Sequence, residues 1–159
     1  MFVLIKKLEN SLKQKLLIIT IAIALPLMSF AGEIIKKASP YDAEITMNRF
    51  ETLVKSKGME IFSRIDHKTN AKAVGMRMND NIVIVFGKPQ VGTNVMLLDP
   101  AAGLDLPMRV SVYKDNENRT WIAYRNPESL KNDFKLEQCK TIDKLKKVLD
   151  ILTSEAVKN

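Results

Sequence analysis

Ile82 to Phe86 reads Ile-Val-Ile-Val-Phe, apolar at every position, and it constrains the fold more than any other part of the domain. A strand covered on one face alternates apolar and polar residues, whereas an unbroken apolar run suits a strand buried on both. In a small two-layer domain such a strand belongs at the centre of a sheet. Its second face should then meet another surface, such as a second copy of the chain. The length of 159 residues suits one ordinary domain, without room for a second core.

The segments around this strand can be read in order. Ile34 and Ile35 open a short extended stretch, and Ser39-Pro40 predicts a helix start with Ser39 as N-cap and Pro40 in the first turn. Ala43, Met47, Phe50 and Val54 recur on one helical face, with Ile45 opposite as a candidate for subunit contact. Gly58 predicts the stop. Met59 to Asp66 reads as a strand, and His67 to Gly75 as a brief helix ended by glycine. Gly87 to Thr93 reads as a loop, followed by a helical turn over Asn94 to Leu98. Met108–Tyr113 and Thr120–Tyr124 alternate as a hairpin around the polar loop Lys114–Arg119. Ile142, Leu145, Leu149, Leu152 and Ala156 share one face of a closing helix. The order β-α-β-α-β-β-β-α predicts an α+β fold: a two-layer α/β sandwich with a mixed sheet of about five strands and helices mainly on one face.

Residues 1–31 read as a cleavable signal peptide, leaving 32–159 as a single domain in the periplasm or otherwise exported. Lys6, Lys7, Lys13 and Lys15 form a basic start, Leu16 to Phe30 carries no charge, and Ser29-Phe30-Ala31 offers small residues for cleavage. The alternative is an inner-membrane anchor over residues 16–31, although this run contains Pro26 and falls short of a spanning helix of roughly 20 apolar residues. The four leader lysines less Glu9 account for three of the seven net positive charges, leaving four on the domain. Acids and bases are interspersed there, so no nucleic-acid partner is expected. Cys139 is the single cysteine and His67 the single histidine. An intramolecular disulfide is impossible, and zinc, iron–sulfur and attached-haem sites lack their ligands. No cofactor or metal is expected.

Several short pieces in order resemble the family catalogued as domain of unknown function 302. They are Ile65-Asp66-His67 with Ala71 and Gly75, Phe86-Gly87-Lys88-Pro89, Gly92-Thr93, Asp105-Leu106-Pro107 and Val110-Ser111-Val112-Tyr113, then Tyr124 and Asn126-Pro127. The likeness spans roughly 33–155, with one departure: Lys88 stands where the family usually has asparagine. The resemblance implies a small α/β sandwich that pairs into a homodimer, and no shared activity.

Three places could carry chemistry. His67, the residue with an ordinary pKa near neutrality, could act as a base, a ligand or an anion donor, or could only shape a strand-to-helix turn. Gly87, Lys88, Gly92 and Thr93 could bring backbone amides and a cation to an anion, or could form a tight turn. The lysine follows the first glycine, so the phosphate-loop pattern is not met. Asp105 could be a carboxylate partner for His67, or could bond nearby backbone amides. Trp121, Tyr113 and Tyr124 on the hairpin read as packing residues. Together these residues suggest a binding or accessory domain for a small anionic or polar ligand, with His67, the Gly87–Thr93 segment and Asp105 converging. The rivals are an enzyme using His67 and Asp105, and a structural interaction protein.

Overall fold

The computed structural model describes residues 32–159; the expected leader lies outside the described residues. Among the described residues, no helix is long and apolar enough to cross a membrane. Five strands form one sheet in the order β1-β5-β4-β3-β2, where β1 is Ile34–Ser39, β2 Glu60–Asp66, β3 Asn81–Gly87, β4 Met108–Lys114 and β5 Thr120–Arg125. Every neighbouring pair is antiparallel, so the fold class stands while the mixed sheet is corrected. The last two strands form a hairpin and β1 pairs antiparallel with β5, so no connection leaves a parallel neighbour.

Two long helices cover one face. Helix α1, Ala43–Ser56, and helix α5, Lys140–Val157, which follows the one-turn α4 at Leu130–Asp133, present the apolar faces read from the sequence. Ala43, Met47, Phe50, Val54, Leu149, Leu152 and Ala156 join Ile82, Ile84, Phe86, Val110, Val112, Ile122 and Tyr124 in the main core. Phe50 and Phe86 meet edge to face, with ring centroids 5.4 Å apart. At the edges, where the helices run out, ion pairs replace apolar contact. Arg64 on β2 meets Glu44 and Glu51 of α1 at 2.8 and 2.9 Å. Lys37 on β1 meets Asp150 of α5 at 2.6 Å. The Tyr124 hydroxyl is buried without a hydrogen-bond partner, and burial pushes its pKa up.

Helix α2, His67–Ala73, stops as expected, with Gly75 at φ +75°, while Gly58 after α1 has φ +65°. A β-branched or bulky side chain rarely adopts that conformation. The start of α1 differs from the expectation. Ser39 is still in β1, paired with Thr120, and the helix begins after Asp42. Strand pairing thus holds the backbone extended where the Ser-Pro pair suggested a cap. Ser39 Oγ instead accepts from the Tyr41 amide at 3.2 Å and hydrogen-bonds the Thr46 hydroxyl at 2.7 Å.

The apolar strand β3 is also different from the expectation, since β4 and not β3 is the central strand. Ile82, Ile84 and Phe86 are buried, but Val83 and Val85 are only half-buried, and neither belongs to the core under α1 and α5. They lie among Ile65, Ser63, Ser111 and Arg109 of the adjoining strands. The strand is interior, between the edge strand β2 and the central β4. Its apolar run is explained by burial of one face under the helices and partial cover of the other from cross-strand neighbours.

The polar loop between β4 and β5 is organised by one carboxylate. Asp115 accepts from the amides of Glu117 and Arg119, from the Arg119 guanidinium and from the Trp121 indole, each at 2.9 Å. The Trp121 hydrogen bond, followed by the Arg119 contacts, holds this carboxyl well below the usual range. A depressed folded-state pKa gives stability that is present above the unfolded value of about 4 and lost as pH falls through the folded value. Urea stability should therefore decline from about pH 4 downward. Asp115→Asn should flatten that decline and speed hydrogen exchange in the hairpin amides. An acid limb identical in the variant would remove Asp115 from this role.

Candidate functional site

The residues singled out in the sequence fall at two ends of the sheet. Asp66, which precedes His67, is paired with Ile82, and Glu60 is paired with Gly87. Five residues of strand, about 17 Å, therefore separate the His67 end from the Gly87 end. Asp105 precedes β4, whose Met108 is paired with Phe86, and so lies at the Gly87 end. The expected convergence of His67 with Lys88 and Asp105 is not made. His67 is half-buried at the first position of α2 and has no side-chain hydrogen bond among the described residues. Its neighbour Asp66 does the local work. That carboxylate accepts from the Thr69 amide at 3.1 Å and the Thr69 hydroxyl at 2.7 Å. The hydroxyl, then the amide, lowers its pKa.

Gly87, Lys88, Gly92 and Thr93 do come together, though not as a loop. Gly87 ends β3, Lys88 occupies the N-cap position, and helix α3 runs over Pro89–Met96 with proline in its first turn. Gly92 and Thr93 are inside that helix, which begins earlier than the helical turn expected over Asn94 to Leu98. Proline after an extended lysine is a good helix start. A Cβ added at Gly92 would meet nothing within 4 Å. Gly92 thus leaves space and answers no demand of backbone conformation.

That space belongs to a groove. A cavity of about 290 Å³ is lined by all four residues with Phe62, Met96, Leu106 and Met108. An adjoining cavity of about 570 Å³ shares Gly87, Lys88, Val91, Met108 and Leu145 with it and reaches along α5. Its walls include Met59, Phe86, Val148 and Ile151, with Lys57, Lys88 and Lys144 among its residues. None of these three lysines forms an ion pair among the described residues, a state they share with Lys36, Lys55, Lys72, Lys135, Lys140 and Lys147 elsewhere on the surface; what sets them apart is their place on one apolar groove. Lys88 and Lys144 are exposed, so their ammonium groups remain hydrated while the groove floor is apolar.

The groove is positioned by a second, smaller core. Val95, Ala102, Leu130, Leu136, Cys139 and Ile142 pack together, and Leu106 touches both cores. Cys139 is buried there, which accounts for its presence by packing. The carboxylate that bonds backbone amides is Asp99, not Asp105. Asp99 accepts from the amides of Ala101 and Lys135 at 3.0 Å each, and the Lys135 amide leads in holding its pKa down. Asp105 is half-buried and its carboxylate makes no hydrogen bond among the described residues. It lines a different cavity, on the face of the sheet away from the long helices. Asn126 is a residue whose role the reading did not reach. It is buried, donates to Glu33 at 2.7 Å and accepts from the Glu128 amide at 3.1 Å. It thereby fixes the turn after β5 against the start of the domain. Among the described residues, no three metal-binding side chains converge.

Residues 35–152 match the family described as "Domain of unknown function DUF302". The chain belongs to the DUF302 family. A solved structure with the same fold is that of an uncharacterized conserved DUF302 protein from Bacillus stearothermophilus. Its TM-score is 0.70 at 17% identity, covering 77% of this chain and 97% of that one. Curated relatives include the fluoride-specific ion channel FluC 1 of Brucella suis, 37% identical over 82 residues, or 52% of this chain and 32% of that one. FluC 2 of Brucella melitensis is similar at 37% over 82 residues, covering 30% of its length. This DUF302 chain therefore spans about a third of the length of the curated relatives it matches.

Proposed function

We propose that this DUF302 domain is an exported binding domain for a small amphiphilic anion, such as an acyl carboxylate. Gly87, Lys88, Gly92 and Thr93 belong to its site, and His67 does not. The observation that carries the reading is the pairing of an apolar groove at the end of β3 with three unpaired lysines, Lys57, Lys88 and Lys144. Apolar walls favour a hydrocarbon chain through the water it displaces, and an ammonium at the rim favours the anionic head. The combined space falls in the range of small-molecule sites, about 300–1,000 Å³. The test is a fluorescence titration with cis-parinaric acid, a naturally fluorescent acyl carboxylate.

Export rests on the basic start and apolar run of the leader. N-terminal sequencing of native material should begin at Gly32, and a native chain retaining its first residues would contradict cleavage. The proposal also includes a homodimer. Leu97, Leu98 and Leu104 stand out at the α3 corner, 77%, 58% and 79% exposed, and large apolar side chains gathered at a surface suit an interface. Sedimentation should show a dimer at micromolar concentration, reduced to monomer by Leu97→Ser with Leu104→Ser; a monomeric wild-type protein would remove it. The similar stretch in chains named as fluoride-specific ion channels supports a second reading, an accessory role beside a membrane protein. That role would survive obstruction of the groove.

A further inference from the structure

We infer that Arg109 and Arg125 form a binding site for a small oxyanion, a phosphate or carboxylate, on the face of the sheet opposite the long helices. The strand register brings the two side chains together. Val110 is paired with Tyr124, and continuing that register by one residue sets Arg109 opposite Arg125. Val110 and Tyr124 point into the core, so the arginines point to the other face. Both line a cavity of about 540 Å³ whose floor includes Val83 and Ala123.

Like charges directly opposite on neighbouring strands are destabilising, and here no ion pair among the described residues offsets that. Among the described residues neither arginine forms an ion pair, whereas Arg64 and Arg119 do. Within the described residues Arg125 donates only to the Gly32 carbonyl oxygen, at 3.2 Å, and Arg109 forms no side-chain hydrogen bond. The neutral polar side chains of the cavity, Ser111, Asn126 and Ser129, are already engaged. The Ser111 hydroxyl donates to Asn81 Oδ1 at 3.2 Å and the Ser129 hydroxyl to the Asn126 carbonyl at 2.7 Å. The free donors are therefore the two planar guanidinium forks, whose spacing of N–H groups matches phosphate and carboxylate oxygens. Asp105 also lines the cavity without pairing with either arginine, and its negative charge opposes an anion. This site shares Met108 with the lining of the proposed acyl groove, but neither arginine belongs to that groove, and the site stands without it.

Isothermal titration of the purified protein with inorganic phosphate, and separately with succinate, at fixed ionic strength tests the site. One saturable site is expected for at least one of the two. The arm that binds distinguishes a phosphate from a carboxylate. Arg109→Gln and Arg125→Gln should each weaken binding about tenfold or more, and Asp105→Asn should tighten it. Melting temperature in the glutamine variants should be unchanged or higher, because the like-charge pair is relieved. Parinaric acid binding should be unaffected by these substitutions, which keeps failure here separate from failure of the groove. Absence of saturable binding by both probes would overturn the inference, as would equal binding in both glutamine variants. A dimer that dissociates in the doubly substituted protein would assign this face to a second copy and overturn it as well.

Discussion

Replacing Phe50 with alanine is expected to cost about 3–5 kcal/mol of folding stability. The side chain is fully buried and sits edge to face on Phe86, so its removal loses the transfer energy of the ring and leaves a cavity between α1 and β3. The surrounding core comes from two helices and three inner strands and cannot collapse onto the space without shifting a paired strand. The urea midpoint should fall by about 1 M or more, with little change in slope. Ile45→Ala on the opposite side of the same helix is the control. Ile45 is 50% exposed, and its replacement should stay within about 0.5 kcal/mol. Because Phe86 also lines the larger part of the groove, the Phe50 variant should weaken acyl binding too. A loss below about 1 kcal/mol would mean that the helix–sheet packing described above is wrong.

Much of the fold was legible because it follows from local periodicity. The helical face of Ala43, Met47, Phe50 and Val54, the glycine stops at Gly58 and Gly75, the hairpin around Asp115 and the face of α5 all repeat at the spacing of their element. The parts that were not legible depend on partners far away in sequence. Ser39 looks like a cap until its pairing with Thr120 is known. Ile82–Phe86 looks covered on both faces, because sequence cannot show that residues such as Arg109 and Ser111 flank the valines. Strand direction was missed for the same reason.

The site divided in a similar way. Gly87, Lys88, Gly92 and Thr93 are close in sequence and stay close in space. His67 and Asp105 were joined to them only by their chemistry, and the antiparallel register sets His67 about 17 Å from the Gly87 end. Lys57, Lys144, Met59 and Leu145 approach the groove from α1's end and from α5, and no motif announced them. The signal is the gathering of three lysines from different elements on one apolar groove, and it appears only once those elements are packed together.

The second large effect concerns the groove itself. Gly92→Trp should abolish acyl binding while leaving the fold intact. The added side chain enters open space at a position that lines the cavity, and tryptophan is a better helix former than glycine. An indole would occupy much of the space needed by a hydrocarbon chain. Lys88→Glu should act more mildly, replacing attraction at the rim with repulsion and weakening binding about tenfold. The melting temperatures of both variants should match the wild type, which separates a blocked groove from a damaged fold.

Titration of cis-parinaric acid into the wild-type protein and Gly92→Trp puts the groove to the most direct test. Saturable fluorescence enhancement with one site in the wild type, absent from an equally stable Gly92→Trp protein, is the predicted result. Equal enhancement in both proteins, or none in the wild type, would contradict the assignment of this groove as the binding site.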